Sequence, residues 1–335
     1  MAAPIVSARD PSLSATLLSR RELRYSAGAD EAQDRPAHVR AASSLAWFGG
    51  RIAAIQDDAN FVALIDPETG QVDAWPLPAG EGGLRQFDDL RGNKRFKLDL
   101  EACFSVGLGE DEILVALGSG SSLRREMVAV IDAYGQARLF QAGGLYARLR
   151  AEKAFSGGEL NVEGAVLVDG RVRLFNRGNG AWRGGEPPRN ASGEIPWAEF
   201  EAYLRGGVPQ AVPALRDILQ YELGDLRGSK LTFTDAAATA AGLLYTAAAE
   251  DSKDAVSDGV VTGSALGILD YAKAGRWIEL RNPDGGLVAE KIEGLCPACG
   301  RDGLIYVVVD ADDPARPSIL GEVELRGPWF LPLQM

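Results

Sequence analysis

Acidic residues recur along this chain at a spacing that would gather them in one place. Glu101, Glu163, Asp235 and Glu293 each lie near the start of a short apolar run, and Ser44 holds the same place in an earlier run. Successive separations are 57, 62, 72 and 58 residues. A second set closes the apolar run that follows each of these: Asp57 and Asp58; Ser119; Asn176, Arg177 and Asn179; Glu250 and Asp251; Asp310, Asp312 and Asp313. If these groups converge, they cannot all be ionised and unpaired, because each like pair at ~4 Å costs several kcal/mol even at an effective dielectric near 20. A hard cation, basic partners or protonation must relieve them.

The first remedy names a metal site. Oxygen donors without histidine suit Ca²⁺ or Mg²⁺ better than zinc, and the expected ligands are Glu101, Glu163, Asp235, Glu293 and Asp310. Such an ion would polarise a carbonyl or phosphoryl oxygen and activate water, with Glu163, Glu293 or Glu250 as general base. Arg177 and Arg125 would steady the developing anion. Each glutamate alone reads equally well as a structural tie between neighbouring strands.

The second remedy is supplied by basic residues close to the acids. Lys97, Lys153 and Lys291 stand beside them, and Asp89-Leu-Arg-Gly-Asn-Lys94 is nearly repeated as Asp225-Leu-Arg-Gly-Ser-Lys230. They are charge partners of the acids or contacts for an anion. Gly118-Ser-Gly-Ser-Ser-Leu-Arg-Arg125 and Asn176-Arg-Gly-Asn-Gly180 are tight turns that could cradle an oxyanion. The expected ligand contacts are Ser119, Arg125, Asn176, Asn179, Asp57, Lys94 and Lys230. His38, the single histidine, lies outside the pattern, so no serine–histidine pair can be built. Cys296-Pro-Ala-Cys299 has no second pair to complete a zinc site, and it reads as a turn.

The elements that must hold these residues are strands. Apolar runs such as Phe61-Val-Ala-Leu-Ile and Leu304-Ile-Tyr-Val-Val-Val are strand-length, lack a helical period and are bounded by turn signals such as Asp66-Pro-Glu-Thr-Gly70. Forty glycines and seventeen prolines suit many short strands and turns. Five repeats of this length predict an all-β fold, a β-propeller of five four-stranded antiparallel blades, with six blades as the alternative. Residues 1–40 would add a closing strand. Residues 41–330 would form one propeller domain, with an insertion at about 180–225 carrying Trp182 and Trp197.

A net charge of −12 argues against nucleic acid and anionic membranes as partners. The N-terminus lacks a signal-peptide pattern, no run is long enough to span a membrane, and three cysteines make no disulfide framework. The expected location is the cytoplasm.

At Asp99-Leu-Glu-Ala, Gly118-Ser-Gly-Ser, Asn161-Val-Glu-Gly, Asn176-Arg-Gly-Asn, Ala247-Ala-Ala-Glu, Lys291-Ile-Glu-Gly and Asp310-Ala-Asp-Asp-Pro, the chain resembles a bacterial propeller family of unknown function. That family is similar to the esterase-like domains named after phytase and to SdiA-regulated-type propellers. The resemblance spans roughly residues 40–325. It implies a propeller with a divalent cation and a phosphoester or related small molecule at its mouth, and it transfers no catalytic residues. Two functions follow as expectations: a metal-assisted hydrolase of a phosphoester, ester or lactone, or a non-catalytic propeller binding a ligand or protein partner at the same face.

Overall fold

The wholly apolar runs become inner strands of antiparallel sheets, covered on both faces, and the mixed runs become edges. The computed structural model describes residues 3–206, 211–251, 260–270 and 274–330. Its strands form two separate four-stranded sheets and one of fourteen strands. The first unit is Ala42–Phe48, Arg51–Gln56, Phe61–Ile65 and Val72–Pro76. The second is Leu100–Val106, Ile113–Gly118, Met127–Asp132 and Ala137–Gln141.

The large sheet contains three further antiparallel units. The third comprises Val162–Val168, Arg171–Asn176, Asn190–Pro196 and Arg216–Glu222. The fourth comprises Ser229–Thr239, Gly242–Asp251, Val260–Asp270 and Gly275–Arg281. In the fifth, Ile292–Pro297, Leu304–Val309 and Ile319–Arg326 are completed by Ser14–Glu22, which pairs antiparallel with Ile319–Arg326. The strand Ile5–Arg9 runs parallel to Arg216–Glu222 and to Gly275–Arg281, joining the outer edges of the third and fourth units. The described residues before Ala42 thus extend existing sheets and build none of their own.

Five apolar clusters fill the spaces between consecutive units. One of them packs Tyr306, Val308 and Leu320 of the fifth unit on Leu45, Ile52 and Ile65 of the first. The first strands stand side by side in order, and Ile292–Pro297 lies against Ala42–Phe48. The approach there is close: a Cβ on Gly294 would fall 2.9 Å from Ser44 Cα, so only glycine fits. The architecture is all-β and propeller-like.

The segment read as an insertion is corrected by the topology. Residues 180–225 contain Asn190–Pro196 and Arg216–Glu222, the outer two strands of the third unit, with the helix Trp197–Arg205 between them. These strands are polar because they lie toward the edge of the sheet. Residues 207–210 of this segment lie outside the described part. Two further helices, Gly143–Ala151 and Lys153–Ser156, cover the cluster between the second and third units. Among the described residues no helix is long and apolar enough to cross a membrane.

One local device recurs in every unit. The first strand carries a β-bulge, at its second residue and opposite the end of the second strand in four units, and at its sixth residue in the fourth unit, where both strands are longer. The residue squeezed out of register is Ser43, Glu101, Glu163, Thr234 and Glu293 in turn. Bulges re-aim side chains and are common beside active sites. The equivalent positions therefore hold three glutamates and two hydroxyls. Ser44 and Asp235 fall one residue later, which turns them to the other side of the strand.

Candidate functional site

A cavity of about 470 Å³ opens where the bulges meet the ends of the second strands. Backbone bonds fix that junction: Asp57 N–H donates to Ala41 O (2.9 Å), Ser119 N–H to Asp99 O (2.9 Å) and Arg177 N–H to Asn161 O (2.8 Å). Each holds the residue after a second strand beside the bulge of its own unit. Glu101, Glu163, Glu293, Glu250, Asp310, Asp57, Arg125, Arg177, Asn179 and Lys94 all line the cavity. It is shared by twelve carboxylates and five cations, so acid predominates even where ion pairs form.

On one wall the centre is Lys97. Its buried ammonium lies 2.6 Å from Asp57 and 2.7 Å from Asp99. Asp99 also receives Arg125 at 3.0 Å and the Ser119 hydroxyl. It adopts the left-handed conformation, φ 58°, which costs about 1 kcal/mol for a residue with a Cβ and aims its carboxylate at these donors. Burial would raise Asp99, but Lys97 and Arg125 outweigh it and hold the carboxyl at about 2. Asp57 is pushed up to about 7 by burial, with Asp99 and Asp58 adding to it and Lys97 opposing. Glu101 is lifted well above the usual carboxylate range by burial and by Asp57, Glu163 and Asp99.

The opposite wall is built around Arg177 and Lys291. Arg177 is buried, contacts Glu250 and lies 3.4 Å from Glu163. Lys291 lies 2.6 Å from Glu293 and 3.9 Å from Glu250. Asn161 Nδ2 donates to Glu163 Oε1 at 2.7 Å, the same oxygen that Arg177 engages. No donor among the described residues engages Oε2. Burial, opposed by Arg177 and reinforced by Glu293, pushes Glu163 up to about 7. A third ion-pair group, Arg40 with Asp58 and Asp88 (3.0 Å), braces the wall of the first unit.

Other expected site residues lie elsewhere. Asp235 is buried, accepts Leu295 N–H at 3.0 Å and the Ser44 hydroxyl at 3.2 Å, and ties the fourth unit to the fifth and first without reaching the cavity. Ser119 is consumed by Asp99. Asn176 closes a turn, accepting from Asn161 N–H (2.8 Å) and donating to Arg189 O (2.8 Å). Lys230 pairs in a short hairpin with Asp225 and lines a different cavity, so the two near-identical Asp-Leu-Arg-Gly segments serve different places. Lys94 sits at the rim, 3.3 Å from exposed Asp89. The side chain of Asp251 lies outside the described part. His38 contacts Pro314 O (3.2 Å) and does not line the cavity; nor do Cys296 and Cys299, which are free thiols.

Arg40, Asp88 and Asp99 escaped the sequence reading. Only Asp99 left a signal, as the first residue of Asp-Leu-Glu-Ala, where the same place two before the bulge holds Asn161 and Lys291 in other units.

A metal ion was the expected relief for these acids. Oxygens of Asp57, Asp99 and Glu101 lie within 4.8 Å of one another, a spacing a hard cation could use. The Lys97 ammonium already bridges two of the three, and Arg125 and Ser119 take the rest of Asp99. A divalent ion does not fit this cluster without displacing Lys97. Glu163 and Glu293 are engaged by Arg177 and Lys291 in the same way. The chain's own lysines and arginines stand where Ca²⁺ or Mg²⁺ was expected.

Several solved structures share the outline at low identity. Glutaminyl cyclase from Myxococcus xanthus aligns with 12% identity and a TM-score of 0.43, over 97% of this chain and 99% of that one. A GH43 β-1,3-galactosidase gives 9% and 0.47, over 90% of this chain and 58% of that one. The Pan2 WD40 domain of Neurospora crassa gives 6% and 0.36, over 94% and 97%. At these similarities none of them defines the chemistry of this cavity. No curated protein matches the chain by sequence. One family model does match, over residues 38–325, and the chain belongs to that family of unknown function, DUF6929.

Proposed function

We propose that the five units close into a five-bladed propeller, one domain over residues 41–330 fastened by the N-terminal strands, whose mouth hydrolyses a small ester or lactone. Glu163 is the general base in this reading. The observation that carries it is the asymmetry of that carboxylate: Oε1 is anchored by Asn161 and Arg177, and Oε2 has no donor among the described residues. A carboxyl at about 7 is matched to proton transfer near neutral pH.

Charge narrows the substrate. Lys97, Arg125, Arg177 and Lys291 are each engaged by the cavity's own carboxylates and Lys94 stands at the rim beside Asp89, so a phosphoester would meet an acid excess. A neutral ester or lactone meets no such barrier. The same field disfavours nucleic acid and anionic membranes as partners, and three free thiols suit a reducing cytoplasm.

The test is a panel of p-nitrophenyl acetate, γ-butyrolactone and p-nitrophenyl phosphate, with and without chelator. Turnover of an ester or lactone, insensitive to chelator and reduced ~10²–10⁴-fold by Glu163→Gln, is expected. Failure to exceed the buffer blank on every substrate overturns the reading. A second reading, ligand binding without turnover, draws on the ion pairs that already satisfy most of the acids. It predicts that a non-hydrolysable ester analogue binds while all three substrates stay intact.

A further inference from the structure

The three bulge glutamates share a backbone position and differ in one neighbour. In the third and fifth units the residue two places earlier donates to the glutamate, Asn161 to Glu163 at 2.7 Å and Lys291 to Glu293 at 2.6 Å. In the second unit that residue is Asp99, which has no proton to give because Lys97, Arg125 and Ser119 hold it as a carboxylate. Glu101 consequently lines the cavity without a hydrogen bond or ion pair to any described residue.

We propose that Glu101 is the residue that protonates the leaving oxygen of the substrate, with Glu163, on the neighbouring first strand, as base. The proposal rests on the hydrolase reading and deepens it. The groups facing Glu101 are Asp57, Asp99, Glu163 and Lys97. Three are acids, and the one cation is bonded to Asp57 and Asp99. Burial and these acids favour the neutral carboxyl. Asp310 is also lifted, by burial first and then by Asp312, Glu293 and Asp58, but Glu163 is not among the named charges acting on it as it is for Glu101, and its neighbours Asp312 and Asp313 are exposed. Two carboxyls in environments that separate their roles are the usual mark of an acid–base pair.

The step balances as follows. The Glu163 carboxylate takes a proton from water as the water oxygen bonds to the acyl carbon. The C–O bond of the substrate then breaks with its electron pair on the leaving oxygen, and the Glu101 proton moves onto that oxygen. Products are the acid and the alcohol; Glu163 holds a proton and Glu101 is ionised, and one proton passed back through solvent restores both. A donor of this kind is needed for an alkoxide leaving group and dispensable for a nitrophenolate. The substrate class is therefore an aliphatic ester or a lactone.

The experiment compares wild type and Glu101→Gln on γ-butyrolactone and on p-nitrophenyl acetate across pH 5–9. The variant keeps side-chain shape, and its melting temperature checks the fold. Expected are a loss of about 100-fold or more on the lactone, a change of less than about threefold on the aryl ester, and disappearance of the falling alkaline limb of the lactone profile. Equal losses on both substrates, or an alkaline limb that persists in the variant, would overturn the proposal and leave the hydrolase reading standing. A wild-type chain inert on both substrates would sink the hydrolase reading and the transfer step together. Infrared difference spectra, wild type minus Glu101→Gln at pH 7, add a readout that a merely structural residue would not move: the carbonyl band of a protonated carboxyl. Its absence also overturns the proposal.

Discussion

The second and third units put the same backbone bulge beside the same cavity and give its glutamate different partners. In the third unit, Asn161 precedes the bulge and Glu163 is tethered through one oxygen. In the second, Asp99 precedes it and Glu101 stands without a tether among the described residues. The first and fourth units silence the position: Ser43 donates to Leu100 O at 2.5 Å, and Thr234 to Thr246 Oγ1 at 3.0 Å. Backbone geometry thus delivers Ser43, Glu101, Glu163 and Glu293 to the cavity; burial lifts both Glu101 and Glu163, and the residue two places earlier sets whether the glutamate has a donor. Divergence among such units needs few substitutions.

The comparison can be broken most severely at Glu163. Glu163→Gln should lower kcat/KM by ~10²–10⁴, whereas Glu293→Gln, which leaves the Asn161 and Arg177 contacts of the base in place, should stay within about tenfold. Arg177→Met tests the tether itself: it leaves Glu163 and Glu250 buried without their guanidinium, and urea unfolding should show a loss of about 3–5 kcal/mol.

The pH dependence of stability follows from the signs of the shifts. Asp57 and Glu163 bind protons more tightly when folded, at about 7, than when unfolded near 4. Their contribution is complete below pH 4 and is lost as pH rises through 7; Asp99, held at about 2, behaves oppositely and matters only in strong acid. Stability should fall by roughly 1–3 kcal/mol between pH 5 and 7.5, and the double variant Asp57→Asn/Glu163→Gln should flatten that slope. A melting temperature that rises over this range would contradict the assignment.

Asp99→Asn converts the second wall toward the third by giving Glu101 a donor. The alkaline limb of the lactone profile should move down by about one pH unit. The smallest effect is a null one: chelator should leave the melting temperature of the wild type in place, because Lys97 holds the cation position. A drop on chelation, restored by Ca²⁺, would show that the ammonium yields to a metal ion.

Much of this was legible beforehand. Strand-length apolar runs closed by acids predict the sheets, and Glu101, Glu163, Glu293, Glu250, Asp310 and Arg177 do meet at one cavity. The failure at Asp235 has a definite cause. Aligning on the acid ignores the bulge, whereas the buried residues Ala42, Leu100, Val162, Phe233 and Ile292 mark the true register, with the bulge immediately after each. That alignment puts Thr234, not Asp235, beside Glu163 and Glu293. The outer strands of the third unit were hidden for another reason. Asn190–Pro196 pairs through its backbone and carries asparagine, serine, glycine and glutamate, so composition masks it as a loop. Nor could the lysine partner of these acids be read without coordinates, since Lys97 meets Asp57 across forty positions of sequence.

The pairing of Ser14 with Arg326 sets a clock on biosynthesis. At translation rates of about 5–20 residues per second, the strand Ser14–Glu22 emerges roughly a quarter of a minute to a minute before its partner exists. Through that interval it offers an open row of amide and carbonyl groups, the kind of edge on which neighbouring nascent chains can add. The four charged residues that close it before the loop, Arg20, Arg21, Glu22 and, beyond Leu23, Arg24, are the sort that discourage such addition. Crowding of ribosomes on one message, rather than the stability of the folded chain, would then set how much of this protein is recovered intact.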